Sequence, residues 1–430
     1  MPFPSASPFT GDPASIGSAA EISGSGNSFA GGLAVKGGLL SATTLAALGL
    51  DPFSAVSTLA DGTLELKTGG LLNAAFDVNA EKGANALVIL KTDSDVTMPI
   101  PSATQGSLLK RGKGRLTFEV AGDTDWSGLQ QNGFKNMASG ETMVFDDANG
   151  TAPGTDKHYG AVNVAEGELV FRGTSEEVPT VAFHETNKPG TDIGLSTTPV
   201  ASDFAQPGLV LDHVRYDLSR NGALNDFFAM SLKRDVNSPA GVTDPYLVVS
   251  NGAVLECTMF APAWRNNDAR TSAHILLDNG TINCHYELHA SENFFDPATS
   301  VVTNDYTLRN GSAIYSDYRE GRFHVTGQTA VFDIDGSTIA KDATGAPLSM
   351  YASQRTGIVG RFNFRNGSYF GCDRIWMDGG SASQITSYTY VLFDLSFDDS
   401  EWYIGEGNLD FPSSNMNVTV TSLPLITFVS

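Results

Sequence analysis

The feature that most limits what this chain can fold into is an Asn-Gly step set between two short runs of alternating apolar residues. It reads Leu247-Val-Val-Ser-Asn-Gly-Ala-Val-Leu-Glu-Cys257, then Ile275-Leu-Leu-Asp-Asn-Gly-Thr-Ile-Asn-Cys284. It returns as Tyr306-Thr-Leu-Arg-Asn-Gly-Ser-Ala-Ile-Tyr-Ser316 and Phe362-Asn-Phe-Arg-Asn-Gly-Ser-Tyr-Phe-Gly-Cys372, with a variant over 323–332. Alternation at period two predicts strands, and Asn-Gly supplies the positive φ of a tight turn. A hairpin meander would turn every 8–12 residues or so. Here Asn251, Asn279 and Asn310 lie 28 and 31 residues apart. That beat predicts the coils of a solenoid, each with about three short strands stacked parallel on the next at about 4.8 Å.

The cysteines keep the same register. In three copies an apolar residue three past the Gly precedes a small one at five past, Leu255/Cys257, Ile314/Ser316 and Phe370/Cys372, and Ile282/Cys284 comes one residue earlier, as a shortened turn would give. Small residues at one repeat position predict a buried ladder, the usual place for a free cysteine. Three cysteines make neither a disulfide framework nor a zinc spacing. Helical signals are confined to Thr43–Leu50 and Asn221–Arg234, both expected as short covering helices. The chain therefore reads as all-β. Only 17% of residues are charged and 10% are aromatic, a balance that argues against disorder. The net charge of −22 repels phosphate backbones and anionic lipid, so neither nucleic acid nor a membrane surface is an expected partner. No apolar run approaches the roughly 18 residues of a membrane span, and no insertion of this chain into a membrane is expected.

A second unit recurs towards the N terminus. Its clearest copy is Leu108-Leu-Lys-Arg-Gly-Lys-Gly-Arg-Leu-Thr-Phe118 with Trp126-Ser-Gly128, resuming at Tyr159-Gly-Ala-Val-Asn-Val-Ala-Glu-Gly-Glu-Leu-Val-Phe171. Related stretches are Ile22–Leu40 and Asp61–Lys67. This pattern resembles the autotransporter-associated β-strand repeat. Lys110, Gly112, Gly114, Leu116, Phe118 and Gly122 fit its first half, Trp126 and Gly128 its middle, and Val164, Gly167, Leu169 and Phe171 its end. The resemblance implies a right-handed parallel β-helix, exported by a bacterium and placed outside the cell or on its surface. It also implies a passenger that serves as an adhesin, a stalk or a self-associating factor. The start, Met1-Pro2-Phe3-Pro4, lacks a basic n-region and an apolar h-region. The end, Leu423–Ser430, lacks the aromatic final residue of an outer-membrane barrel. A passenger or passenger fragment is the expectation, with residues 1–20 as leader or cap. Residues 21–430 would form a single β-helix with insertions near 130–160 and 175–245.

Two side-chain groups merit a chemical reading. In Cys284-His-Tyr-Glu-Leu-His289, strand alternation puts His285, Glu287 and His289 on one face, the residue types that hold a transition metal. Residues i and i+4 on a strand are about 13 Å apart, so an ion would need ligands from a neighbouring coil, and a plain solvent face is the expectation. Asp333 and Asp335, and likewise Asp394 and Asp398, stand opposite apolar neighbours on their strands. Outward Asp rows can bind Ca²⁺ or supply the acid–base pair of a glycosidase, with Arg322, Arg361 and Arg365 as nearby cations. Solvation of the strands explains the same residues. The Asn-Gly-Thr/Ser triplets at Asn149, Asn279, Asn310 and Asn366 are glycosylation acceptors in form and tight turns by composition. Trp264, Tyr315, Tyr318, Trp376 and Trp402 offer sugar-stacking platforms wherever they are exposed. No cofactor is expected beyond a possible role for Ca²⁺. The leading expectation is a non-catalytic adhesive or scaffolding protein that meets a glycan or a host or cell-surface ligand. The alternatives are a carbohydrate-active β-helix enzyme (a polysaccharide lyase or glycoside hydrolase) and a self-assembling filament subunit.

Overall fold

The computed structural model describes residues 19–129 (less 26, 30–31, 36–37, 51–56, 61 and 80–86), 161–183, 191–193, 205–219, 227–230, 244–262, 272–291, 303–316, 322–325, 329–352, 358–376, 391–404, 415–420 and 425–428. The expected insertion at 130–160 lies outside these residues. The chain is all-β, and every strand pair resolved residue by residue is parallel, as in a parallel β-helix. It divides into two compact units, residues 1–215 with 237–239, and residues 216–236 with 240–430. Among the described residues no helix is long and apolar enough to cross a membrane.

In the second unit the described strands lie on three faces, the third carrying Arg322–Val325 and Leu348–Ala352. The first face stacks Tyr246–Ser250, His274–Asp278, Thr303–Arg309, Thr329–Asp335, Ile358–Arg365, Val391–Asp398 and Asn415–Val420. Its inward columns are Leu247–Ile275–Tyr306–Phe332–Phe362–Leu395 and Val249–Leu277–Leu308–Ile334–Phe364–Phe397. Because parallel strands repeat at about 4.8 Å, in-register rings stack face to face. Tyr306 and Phe332 have centroids 4.0 Å apart, and Phe332 and Phe362 are 4.4 Å apart with planes 6° from parallel.

The Asn-Gly steps are the corners between the first face and the second. Asn251, Asn279, Asn310 and Asn366 all have φ of 55–58°, the left-handed region that Asn tolerates better than other side chains. Backbone pairing continues through the corner: the Asn251 and Asn279 amides donate to the carbonyls of Asp278 and Arg309 on the next coil, each at 3.1 Å. On the second face the inward column runs Leu255–Ile282–Ile314–Ile339–Phe370–Trp402, and Cys257–Cys284–Ser316 runs beside it. This is the expected cysteine ladder, with one correction. Cys372 is buried too, but it pairs with Leu348 at the start of the third face rather than joining that column. None of the three cysteines forms a disulfide. Burial, with the Cys284 thiol alongside, pushes Cys257 well above its ordinary value.

The first unit uses the same logic with different side chains. The column Ala20–Leu40–Leu64–Leu90–Lys110–Val164–Ile193 is aliphatic except at Lys110. That side chain is fully buried, and its ammonium donates to the carbonyls of Gly112 and Glu166, the latter at 3.0 Å. The Lys and Gly positions of the repeat are therefore one device. At Gly112 φ is +80°, and at Gly114 a Cβ would run into the Ser94 backbone of the preceding coil. The repeat's aromatic positions meet in the core, with Trp126 edge-on to Phe118, Phe171 and Phe183 at 5.4–6.0 Å. The Trp126 indole N–H donates to the Pro101 carbonyl at 2.8 Å.

Both expected helices are corrected. Thr43–Leu50 yields only a 3₁₀ turn, Leu45–Leu48, capped by the Thr44 hydroxyl and closed by Gly49 at φ 57°. In Asn221–Arg234 the described residues, Phe227–Met230, form a strand pairing with Met259–Pro262, so tertiary pairing overrides local helix propensity. Within 175–245 the described pieces Thr180–Ala182, Thr191–Ile193, Gly208–Asp212 and Arg215–Asp217 are also strands.

Three outcomes test this packing. Phe332→Ala removes a ring stacked on both sides and should cost about 3–5 kcal/mol, read from denaturant midpoints. Asn310→Ala should cost about 1–2 kcal/mol for its left-handed backbone, whereas Asn310→Gly should cost less; equal losses would contradict a φ-driven corner. Burial pulls Lys110 down to about 7 against the opposing pull of Glu166, Asp93, Asp95 and Glu168. The unfolded lysine holds its proton to about 10.4, so between those limits the unfolded chain binds more protons and stability rises with pH. The stability of Lys110→Met relative to the parent should therefore improve as pH falls from about 10.4 to 7, and a pH-independent difference would contradict it.

Candidate functional site

The polar groups that converge lie on the outer side of the second face in the second unit. In Leu255-Glu-Cys257 the two flanking side chains point inward, so Glu256 points out, in register with Asn283 and, one coil on, Tyr315. Glu256 is nevertheless only 2% exposed. Its carboxylate accepts a hydrogen bond from the Asn283 amide at 2.6 Å, and the His285 Nε2 lies 2.6 Å from its other oxygen. A buried carboxylate fixed to an imidazole and an amide holds both in one orientation.

His285 reaches Glu256 because the strand Thr281–Ser291 carries an irregularity. Cys284 pairs with Cys257, but Glu287 pairs with Met259, so one extra residue is accommodated between them. A bulge of this kind breaks the two-residue alternation. His285 and Tyr286 are both half-exposed as a result, while Leu288, His289 and Ala290 are all buried. This corrects the expected row of His285, Glu287 and His289 on one solvent face. His285 turns to Glu256 on the neighbouring coil and His289 is inside the protein. The Glu287 side chain lies outside the described residues. Among the described residues, no group of three or more His, Cys, Asp or Glu side chains is placed to hold a metal.

Beside His285 a cleft of about 270 Å³ opens across successive coils. Thr281, Asn283 and His285 line it from one coil, Tyr315 from the next, and Lys341 and Asp342 from the turn that follows Thr338–Ala340. That turn is tied: the Asp342 carboxylate accepts from the Thr344 hydroxyl at 2.5 Å and its amide at 2.9 Å. These bonds, the hydroxyl's foremost, hold Asp342 below the usual carboxylate range. Burial, and then the Asp342 charge, push the Tyr315 phenol up, so it stays protonated at neutral pH.

The acidic residues of the first face occupy a different setting. Asp335 accepts from the Asn366 amide at 2.7 Å and the Arg365 guanidinium at 3.1 Å. Two coils earlier, Asp278 accepts from Arg309 and Asn310 at 2.6 and 2.5 Å. Each Arg-Asn of a corner thus clamps the aspartate of the coil before it. Asp398 continues the column, exposed and in register with Arg365. Asp333 accepts from the Asn363 amide at 2.9 Å, one column over. Asp394 pairs in register with Arg361, and its side chain lies outside the described residues. Of the aromatics, Trp402 is buried in the core and Tyr315 reaches the cleft. Trp264 and Tyr318, and the side chain of Trp376, lie outside the described residues.

Sequence reading missed Glu256, Asn283 and the Lys341–Asp342 turn. The signal was present in the aligned offsets: once Cys257 and Cys284 share a column, Glu256 and Asn283 must be neighbours.

The Asn366 amide, then the Arg365 guanidinium, lower the Asp335 pKa. A group so depressed contributes stability above its unfolded pKa and loses it as pH falls through the folded one. Carboxyl NMR should place Asp335 below the ordinary Asp value, and Asn366→Ala and Arg365→Ala should each move it upward. An ordinary pKa unmoved by both variants would contradict the clamp.

Comparison with family models, with curated proteins and with solved structures finds no match.

Proposed function

We propose that this chain is a non-catalytic adhesive or structural scaffold, a bacterial passenger-like β-helix displayed on the cell surface or secreted. On this reading its partner is a glycan or another cell-surface ligand. The observation that carries it is the recurring clamp on the first face. Asp278 is held by Arg309 and Asn310, and Asp335 by Arg365 and Asn366. A glycosidase needs a carboxyl group that holds its proton near neutral pH. Asp335 is shifted the opposite way, and its partners hold coil to coil instead of leaving it to a substrate. Export and bacterial origin rest on the resemblance of 108–128 and 159–173 to the autotransporter-associated repeat. The net charge of −22 suits a protein kept apart from anionic lipid.

The test is size exclusion of the chain with neutral and acidic polysaccharides, with and without Ca²⁺, following both co-elution and polysaccharide length. The expected result is co-elution at unchanged length, the same for Asp335→Asn as for the parent. Shortened polysaccharide would overturn the non-catalytic reading. No co-elution with any of them would overturn glycan adhesion, and a mass that then grows with protein concentration would favour the filament.

A further inference from the structure

Resting on the glycan reading above, we infer that the cleft between Asn283, His285, Tyr315 and the Lys341–Asp342 turn binds one neutral sugar ring of a larger glycan. Its size sets the first limit. At about 270 Å³ it falls just under the roughly 300–1,000 Å³ of sites that enclose a drug-sized ligand, which leaves room for a single ring with its neighbours in solvent.

The lining sets the second limit. Tyr315 is half-buried on the cleft wall and brings an apolar ring with a polar tip, the combination that packs against the C–H face of a pyranose and hydrogen-bonds its rim. Thr281, Asn283, Lys341 and Asp342 line the same cleft, and their side chains carry the hydroxyl, amide, ammonium donor and carboxylate acceptor that a sugar's hydroxyls need. One cation and one anion in the same turn cancel, so the site offers no net attraction to an anionic ring. The chain's charge of −22 adds repulsion.

Preorganisation is the third argument. The amide of Asn283 and the imidazole of His285 are fixed before any ligand arrives, by a carboxylate only 2% exposed and 2.6 Å from each. The Thr344 bonds likewise fix the Asp342 carboxylate. Groups already held in place lose little freedom on binding. Glu256 is accordingly a positioning residue: it acts through Asn283 and His285 and lies too deep to touch the sugar.

The test titrates the full chain with neutral oligosaccharides of glucose, galactose, mannose and N-acetylglucosamine, and with oligogalacturonate as the anionic arm, read by calorimetry and saturation-transfer NMR. At least one neutral oligosaccharide should bind more tightly than oligogalacturonate, with Tyr315→Ala weakening it tenfold or more. Lys341→Ala, in the surface turn, should weaken it severalfold without altering the melting temperature, and it decides the matter if Tyr315→Ala fails to fold. Glu256→Gln should weaken binding, with the His285 ring resonances shifted as its partner changes. Neutral oligosaccharide bound equally by the parent, Tyr315→Ala and Lys341→Ala would overturn this site while leaving the glycan reading standing. Preference for oligogalacturonate would overturn the neutral class. Absence of all binding here, with polysaccharide co-elution intact, would overturn the site alone; absence of both would overturn the site and the reading it rests on.

Discussion

Every coil of this protein has to turn corners while its backbone stays about 4.8 Å from the coils on either side. That constraint leaves no space for a side chain at certain corner positions and demands a left-handed residue at others. In the second unit Asn251, Asn279, Asn310 and Asn366 meet the demand, and their neighbours continue the backbone ladder around the bend. In the first unit Gly112 meets it at φ +80° and Gly114 takes a position with no room for a Cβ, with the Lys110 ammonium closing over the Gly112 carbonyl. The in-register columns, the stacked rings and the polar rows all follow from holding that spacing.

Register also decides where charge goes. With one residue per coil in each column, like charges would face each other at close range, which destabilises a sheet. The column through Asp278 and Arg309, and again through Asp335, Arg365 and Asp398, meets acid with base. The Asn beside each Arg adds a second hydrogen bond to the same carboxylate. A similar row in the first unit links Ser41, Glu65 and Lys91. There burial would raise Glu65, but the bonds from Lys91 and Ser41 outweigh it and the carboxyl ends below its ordinary value. The acidic rows are thus part of what holds coils in line. The polar group set apart from them is the one around Glu256, where an extra residue after Cys284 diverts His285 out of the alternating pattern.

Much of this was legible in the sequence because a solenoid repeats its local rules. The Asn-Gly interval excluded hairpins, and the apolar-then-small pairs Leu255/Cys257, Ile282/Cys284 and Ile314/Ser316, the middle one set one residue nearer its Gly, gave the true columns of the second face. The alternation of Asp278, Arg309, Asp335, Arg365 and Asp398 just before the corners was equally readable. What escaped depends on breaks in the repeat. Nothing local to His285-Tyr-Glu-Leu-His289 marks the bulge, since it is defined only against Cys257 and Met259 on the previous coil. Lys110 reads as a surface residue by type; its burial makes sense only with Gly112 and Glu166 placed above its ammonium. Cys372 shared the sequence offset of Cys257, yet it sits where its strand passes on to the third face, so the same spacing gave a different neighbour, Leu348.

The most direct test of this account is a distance along one outward column. Leu276, Thr307, Asp333, Asn363 and Ser396 succeed one another in register on the first face. Spin labels at Leu276→Cys and Ser396→Cys, attached without denaturation so that the buried native cysteines stay unlabelled, should give a narrow distance by pulsed electron resonance. Four steps of the parallel repeat put the labelled backbones about 19 Å apart. A narrow peak within the reach of the label arms of that value is the predicted result. A broad distribution, or a separation well beyond it, would contradict in-register coils and every column built on them.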